Sequence, residues 1–240
     1  MASTALEYRD GAITCRGYLV HDRKHAGVRP GVVLFPDARG VGEAVKDRTR
    51  RVAALGFVAL AADPYREGKL AHDMPEAMRM MGDLRRDVTA WRKRAGAALD
   101  ALAMQSTVDR GRLAAIGYCF GGSTALELAR SGAPLAAVVS FHGGLESPKP
   151  DDAANIKARL LVCHGADDPL VPPAQVAAFV TQMRKTKVDW QLRAYGGTVH
   201  GFTNPEADQA GVAALAYNPS ADKRSWQAML ELFGEAFGTA

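Results

Sequence analysis

The sequence predicts an α/β fold, a mostly parallel central sheet with helices on both faces. Short apolar runs alternate with longer helical patterns along the chain, as repeated β-α-β units require. Those runs show little polar alternation, as expected of strands covered on both faces. Gly-rich and polar punctuation falls where the runs end, the edge at which such sheets collect ligands. The 240 residues are expected to form one domain, residues 1–240, since folds of this class commonly reach that length as a single unit.

Residues 6–20 alternate loosely around Asp10-Gly11, a turn signal, so two antiparallel strands are expected there. The connection from His21 to His25 is polar, and its two histidines have no evident third ligand for a metal. Residues 31–35 read as a short buried strand, followed by the loop Pro36-Asp37-Ala38-Arg39-Gly40. A helix over 43–55 ends at Gly56, and a second buried strand covers 57–62. Residues 65–74 read as irregular and 75–81 as a short helix. Residues 83–104 are expected to form one long helix, with Leu84, Val88, Trp91, Ala95, Ala98 and Leu102 along one stripe. Strands are expected at 113–118, 135–141, 158–163 and 190–195, with helices over 123–130 and 172–185. A last helix, 220–237, turns Trp226, Met229, Leu230 and Phe233 inward.

Composition narrows the function classes. The hydrophobic fraction is 48% and the net charge +4, ordinary values that allow a sizeable core. The basic residues cluster at Arg48–Arg51, Arg85-Arg86 and Arg92-Lys93-Arg94, within helical patterns and without interleaved aromatic residues. They read as solvated faces, and no nucleic-acid partner is expected. No apolar run approaches a membrane span. The three cysteines, Cys15, Cys119 and Cys163, are odd in number and widely spaced, which fits neither a disulfide framework nor a zinc site. With no signal-peptide pattern at the start, a reducing, cytoplasmic location is expected.

The chemistry centres on Gly117-Tyr118-Cys119-Phe120-Gly121-Gly122. An apolar run ends there and a helical pattern begins at once. That is the layout of a nucleophile elbow, whose glycines make room for a tight strand-to-helix turn. A thiol at a helix N-terminus is biased toward thiolate. On this pattern alone Cys119 is as readily a small core residue as a nucleophile. A nucleophile needs a base, and the base needs an orienting acid. Asp168, in the turn after the 158–163 strand, and His200, just past the 190–195 strand, supply them in the chain order of the α/β-hydrolase arrangement. Asp167 is expected in solvent, and His164 to pack against or cap the acid's turn. Cys15 and Cys163 are expected to be inert. Two backbone amides are expected to form an oxyanion hole, those of Phe120 and Ala38.

These segments resemble the dienelactone hydrolases. Gly117-Tyr118-Cys119-Phe120-Gly121-Gly122 is similar to that family's elbow, with Cys where Ser is usual elsewhere. The Asp168 turn and His200-Gly201-Phe202 are similar to its acid and base segments. The likeness runs over about residues 6–233. It implies an α/β-hydrolase fold and hydrolysis of a small ester or lactone through an acyl-enzyme. Neither metal nor organic cofactor is implied, and the molecule is expected to be a monomer or homodimer. The resemblance also implies an acid that modulates the thiol, here Asp37 where Glu is usual. The family places an anion-binding arginine just beyond the catalytic histidine, where this chain has Asn204. Arg39, Arg66, Arg79 and Arg85 remain candidates for an anionic substrate group, and Tyr65 and His142 for lining the pocket. Two alternatives stay open: a broader small-ester carboxylesterase, and a non-catalytic ligand-binding or thiol-sensing protein.

Overall fold

The computed structural model of the chain describes residues 1–238. The chain divides into two compact units, Met1–Ile116 and Gly117–Ala240.

In the first unit, β1 (Ala2–Asp10) and β2 (Ile13–His21) form the expected hairpin, with Asp10 opposite Ile13. β3 (Arg29–Phe35), α1 (Glu43–Ala54), β4 (Val58–Ala61), α2 (Met74–Arg85), α3 (Val88–Ala103) and β5 (Val108–Tyr118) follow. The strand order is β1-β2-β4-β3-β5. β2 runs antiparallel to β4, and β4 parallel to β3. Every residue of β3 and β4 is buried, which explains why both read as uninterrupted apolar runs. β1 is largely exposed, as an edge strand paired on one side should be.

The single helix expected over 83–104 is two helices. Asp87 leaves helical geometry at φ −118°, ψ 99°, and its carboxylate accepts from the amides of Thr89 and Ala90. That is an N-cap, worth about 1 kcal/mol. The apolar stripe continues across the break, so periodicity alone conceals it. The inward face of α3 is otherwise as expected, with Trp91, Ala95, Ala98 and Leu102 buried.

β5 carries the chain from the first unit into the second, which contains α4 (Phe120–Arg130), β6 (Ala137–Phe141), β7 (Arg159–Gly165), α5 (Pro173–Met183), β8 (Trp190–Tyr195) and α6 (Pro219–Phe237). β6, β7 and β8 lie side by side, all parallel. α4 is buried along its whole length. α6 turns a slightly different face inward than its pattern suggests. Ser225, Ala228, Met229, Leu232 and Phe233 are buried, while Trp226 and Leu230 are half-buried at the margin. Among the described residues no helix is long and apolar enough to cross a membrane.

Candidate active site

The turn at Cys119 is built by what its neighbours lack. Cys119 sits between β5 and α4 at φ +54°, ψ −119°, in territory that costs an L-residue energy and persists only when the surroundings enforce it. A side chain at Gly117 would land on the Gly121 carbonyl, and one at Gly122 would come within 2.9 Å of the Gly143 Cα. The glycines therefore let strand and helix meet at one residue. The Cys119 amide donates to the Phe141 carbonyl at 3.0 Å and to His142 Nδ1 at 3.1 Å. The amides of Gly122 and Ser123 return to the Cys119 carbonyl at 2.9 and 3.3 Å. α4 starts at Phe120, so the positive end of its dipole faces the half-buried thiol.

β7 leads to Asp168. Its last residue, Gly165, opens a turn closed by the Asp168 amide donating to the Gly165 carbonyl at 3.1 Å. One Asp168 oxygen accepts from the Leu170 amide at 2.8 Å. The other accepts from His200 Nδ1 at 2.7 Å. Asp168 is 3% exposed and His200 5%, whereas Asp167 points into solvent, as expected. The loop bearing His200 is pinned on both sides of its peptide. Its amide donates to the Ala214 carbonyl at 3.1 Å, and the Ala216 amide donates to its carbonyl at 3.2 Å.

A carboxylate on Nδ1 fixes the imidazole with its second nitrogen, Nε2, turned away from the acid. Nε2 is buried and has no hydrogen-bond partner of ordinary geometry, yet the Cys119 sulfur is close enough to act on the ring's charge. Catalytic contacts are often loose before substrate binds. Burial by itself would drive the His200 pKa down. The hydrogen bond to Asp168, the Cys119 thiol beside the ring and the charge of both outweigh it and raise the value to about 10. The site therefore favours an imidazolium at His200.

The other histidines do different work. His164 is buried at the end of β7, and desolvation lowers its pKa against a smaller opposing pull from Asp168. His142, a candidate for lining the pocket, is 3% exposed, and both ring nitrogens are engaged inside the protein, Nδ1 with Cys119 and Nε2 with Thr203. Burial pushes the thiols of Cys15 and Cys163 up to about 11 and 12, which suits inert core cysteines.

In the first unit, the loop after β3 is organised from within. Asp37 accepts from the Arg39 amide at 2.8 Å, the local capping contact of a turn. Ala38 is buried, and its carbonyl accepts from the Tyr65 hydroxyl at 2.8 Å. Tyr65, the other candidate for lining the pocket, is thus tied to the loop by its hydroxyl. Arg39 is exposed. Arg79 forms ion pairs with Asp83 and Glu76 on α2. In the second unit, Asn204 accepts from the Glu206 amide at 3.0 Å, as a turn residue. The sequence reading missed two residues. Thr203 carries no signal beyond lying three positions after His200. Asp63 follows a buried strand in the position Asp168 occupies after β7, and that parallel was available. Among the described residues no group of three or more His, Cys, Asp or Glu is placed to hold a metal.

The chain is similar to known proteins over nearly its whole length. Residues 15–237 match the model of the dienelactone hydrolase family. A Bradyrhizobium protein named "Probable 2-oxo-3-(5-oxofuran-2-ylidene)propanoate lactonase" is 31% identical, the match covering 83% of this chain and 81% of that protein. A solved structure called m3DLH superposes with a TM-score of 0.95 at 49% identity, over 98% of each chain. Another, from metagenomic libraries and described as a dienelactone hydrolase-like promiscuous phosphotriesterase, gives 0.93 at 47% identity, also over 98% of each chain. With a mostly parallel sheet flanked by helices and near-complete overlap with such structures, the chain belongs to the dienelactone hydrolase family and is a hydrolase of ester or lactone bonds on an α/β-hydrolase fold.

Proposed function

We propose that this hydrolase opens small lactones and cleaves small esters through a Cys119–His200–Asp168 triad and a covalent acyl-enzyme. The observation that carries the reading is the His200 ring. Asp168 holds one nitrogen at 2.7 Å, the other is buried without a hydrogen-bond partner of ordinary geometry, and the strained Cys119 thiol acts on its charge. The Cys119 thiolate attacks the carbonyl carbon, forming the C–S bond and pushing the carbonyl electrons onto oxygen. The amides of Phe120 and Ala38 receive that oxyanion. Collapse breaks the C–O bond, and the departing oxygen takes the proton from His200. In a lactone it stays tethered to the acyl chain. His200 then draws a proton from water as the water attacks the thioester, and the thiolate leaves. Asp168 holds the tautomer throughout. No cofactor enters these steps.

Asp37 is carried as the acid that quiets the resting thiol, with its contact to the Arg39 amide as the competing role. Arg39 is the stronger candidate for an anionic substrate group, because Arg79 is occupied by Glu76 and Asp83. Tyr65 and Asn204 act through their loops, given the contacts they make. Three unpaired cysteines fit a reducing, cytoplasmic setting and a monomer or homodimer without disulfides.

The test is stopped-flow turnover of a carboxylated enol-lactone, a chromogenic activated ester and a chromogenic phosphotriester, with trapping of the intermediate by mass spectrometry. Cys119→Ala is expected to lose on the order of 10⁶ in kcat, the scale of removing a triad nucleophile. Faster opening of the lactone than of the ester supports the lactonase reading. Preference for the ester points to the broader esterase. Comparable phosphotriester turnover would extend to this chain the breadth described for its 47% identical neighbour. Activity that survives in Cys119→Ala, or no acyl adduct and no turnover of any of the three, overturns the mechanism, the latter in favour of a binding or thiol-sensing role.

A further inference from the structure

We infer that His142 is a positioning residue for this reaction: its neutral ring, protonated on Nε2, ties the backbone of the nucleophile turn to the loop carrying the base. The inference rests on Cys119 and His200 as nucleophile and base.

The proton assignment follows from donor and acceptor bookkeeping. The Cys119 amide can only donate, so His142 Nδ1, 3.1 Å away, must present its lone pair. A neutral imidazole then carries its proton on Nε2. Nε2 lies 2.9 Å from the Thr203 hydroxyl oxygen and donates to it. Thr203 is three residues past His200 and 3% exposed. One ring thus spans from the Cys119 peptide to the base loop. An imidazolium would set N–H against N–H at Cys119, so only the neutral ring can make this link.

Three features argue that the ring does more than fill space. The Cys119 amide already has an acceptor in the Phe141 carbonyl at 3.0 Å, so His142 adds a second restraint to a backbone that sits in a costly conformation. His142 itself has φ +41°, a strained backbone that turns its side chain toward these partners. And the ring packs edge-on against His200, 5.1 Å between centroids at 65°, with Phe202 at 5.1 Å and 79° beside it. Cys119, His200 and the Tyr118 ring, 6.2 Å away, are its titratable neighbours. With both nitrogens engaged inside the protein, His142 is a poor candidate for touching substrate. It acts through Cys119 and His200.

Three substitutions separate the hydrogen-bond chain from packing. His142→Phe keeps the bulk and removes both bonds. His142→Asn keeps an acceptor for the Cys119 amide. Thr203→Val removes only the far partner. Each is read for Tm, for kcat and KM on the activated ester, and for the alkylation rate of Cys119 by iodoacetamide, located by mass spectrometry. Misplacing reacting groups by an ångström can cost about a hundred-fold. His142→Phe is expected to lose about that in kcat, with KM within about two-fold and alkylation slowed, while Thr203→Val loses about ten-fold. His142→Asn should recover part of the alkylation rate. If Asn and Phe behave alike, or the loss lies in KM, the inference fails. Should His142→Phe not fold, Thr203→Val and the ¹⁵N shifts of His142 in the wild type decide it, and a proton on Nδ1 overturns it. Alkylation and tautomer need no turnover. A Cys119→Ala protein that still cleaves ester would therefore sink the triad mechanism while these two readouts still judge the brace.

Discussion

Asp63 and Asp168 occupy matching places in the two units. Each follows a buried parallel strand, β4 or β7, and they are 1% and 3% exposed. Their partners differ. Asp63 is surrounded by backbone: its oxygens accept from the amides of Arg16 and Gly68 at 2.9 and 2.7 Å and of Tyr65 and Arg66 at 2.9 and 3.0 Å. Asp168 accepts one amide, from Leu170, and gives its other oxygen to an imidazole. A buried carboxylate surrounded by amides can only hold a shape, because none of those donors titrates. The same carboxylate beside a histidine controls where a proton sits. Burial and position on the sheet do not distinguish the two roles; the donor does.

Exchanging each acid for its amide should therefore break different things. Asp168→Asn is expected to lower kcat by about 10⁴, since the amide no longer enforces the productive tautomer. The pKa of His200 should fall from about 10, followed by NMR titration, because two of the causes that raise it are removed. The stability consequence has a definite sign. The folded value lies above the ordinary 6.5, so the contribution is whole below the ordinary value and is lost as pH rises through about 10. The Tm gap between wild type and Asp168→Asn should therefore narrow from neutral pH toward pH 10, and a gap that widens would contradict the assignment.

Asp63→Asn should do the reverse. Its amide group must face at least one backbone N–H, donor against donor. Hydrogen bonds to a buried charge are each worth about 1.5–3 kcal/mol, so a loss of about 3 kcal/mol or more is expected, roughly 10 °C in Tm for a chain this size. The folded fraction should keep kcat within about ten-fold, since no Asp63 partner takes part in the proposed proton transfers. A loss like that of Asp168→Asn, with Tm unchanged, would erase the distinction.

How much of this the sequence disclosed follows the same line. The tight turn at Cys119 and the pairing of Asp168 with His200 were legible because glycine requirements and chain order are written in residue type. Gly117 is needed where a Cβ would strike Gly121, and no other residue type would do. The break at Asp87 was written too, as a capping residue, but the apolar stripe that runs through it carried the stronger signal. Asp63, His142 and Thr203 were not legible in their roles. Each acts through contacts with backbone, or with a residue distant in sequence, and neither composition nor periodicity encodes those. The Asp63 turn illustrates the difficulty. It runs through Arg66, Glu67 and Gly68 at φ +90°, +51° and +71°, and only the last is the residue type that announces such a conformation.

The smallest expected effect joins the structural acid to the chemistry. Asp63 fixes the turn that carries Tyr65, and the Tyr65 hydroxyl holds the Ala38 carbonyl at 2.8 Å. If the Ala38 amide is an oxyanion donor, its loop must be held before substrate arrives, because a donor that has to be reoriented during reaction stabilises less charge. Tyr65→Phe removes that one hydrogen bond and keeps the ring. The expected loss is about ten-fold in kcat, well below the hundred- to thousand-fold cost of deleting an oxyanion donor outright, with Tm lowered by only a few degrees. The lactone and the ester should suffer equally, since both pass through the same oxyanion. A loss confined to the carboxylated lactone would instead place the Tyr65 hydroxyl on the substrate, and an unchanged kcat would mean that the Ala38 loop holds its shape without the Tyr65 hydrogen bond.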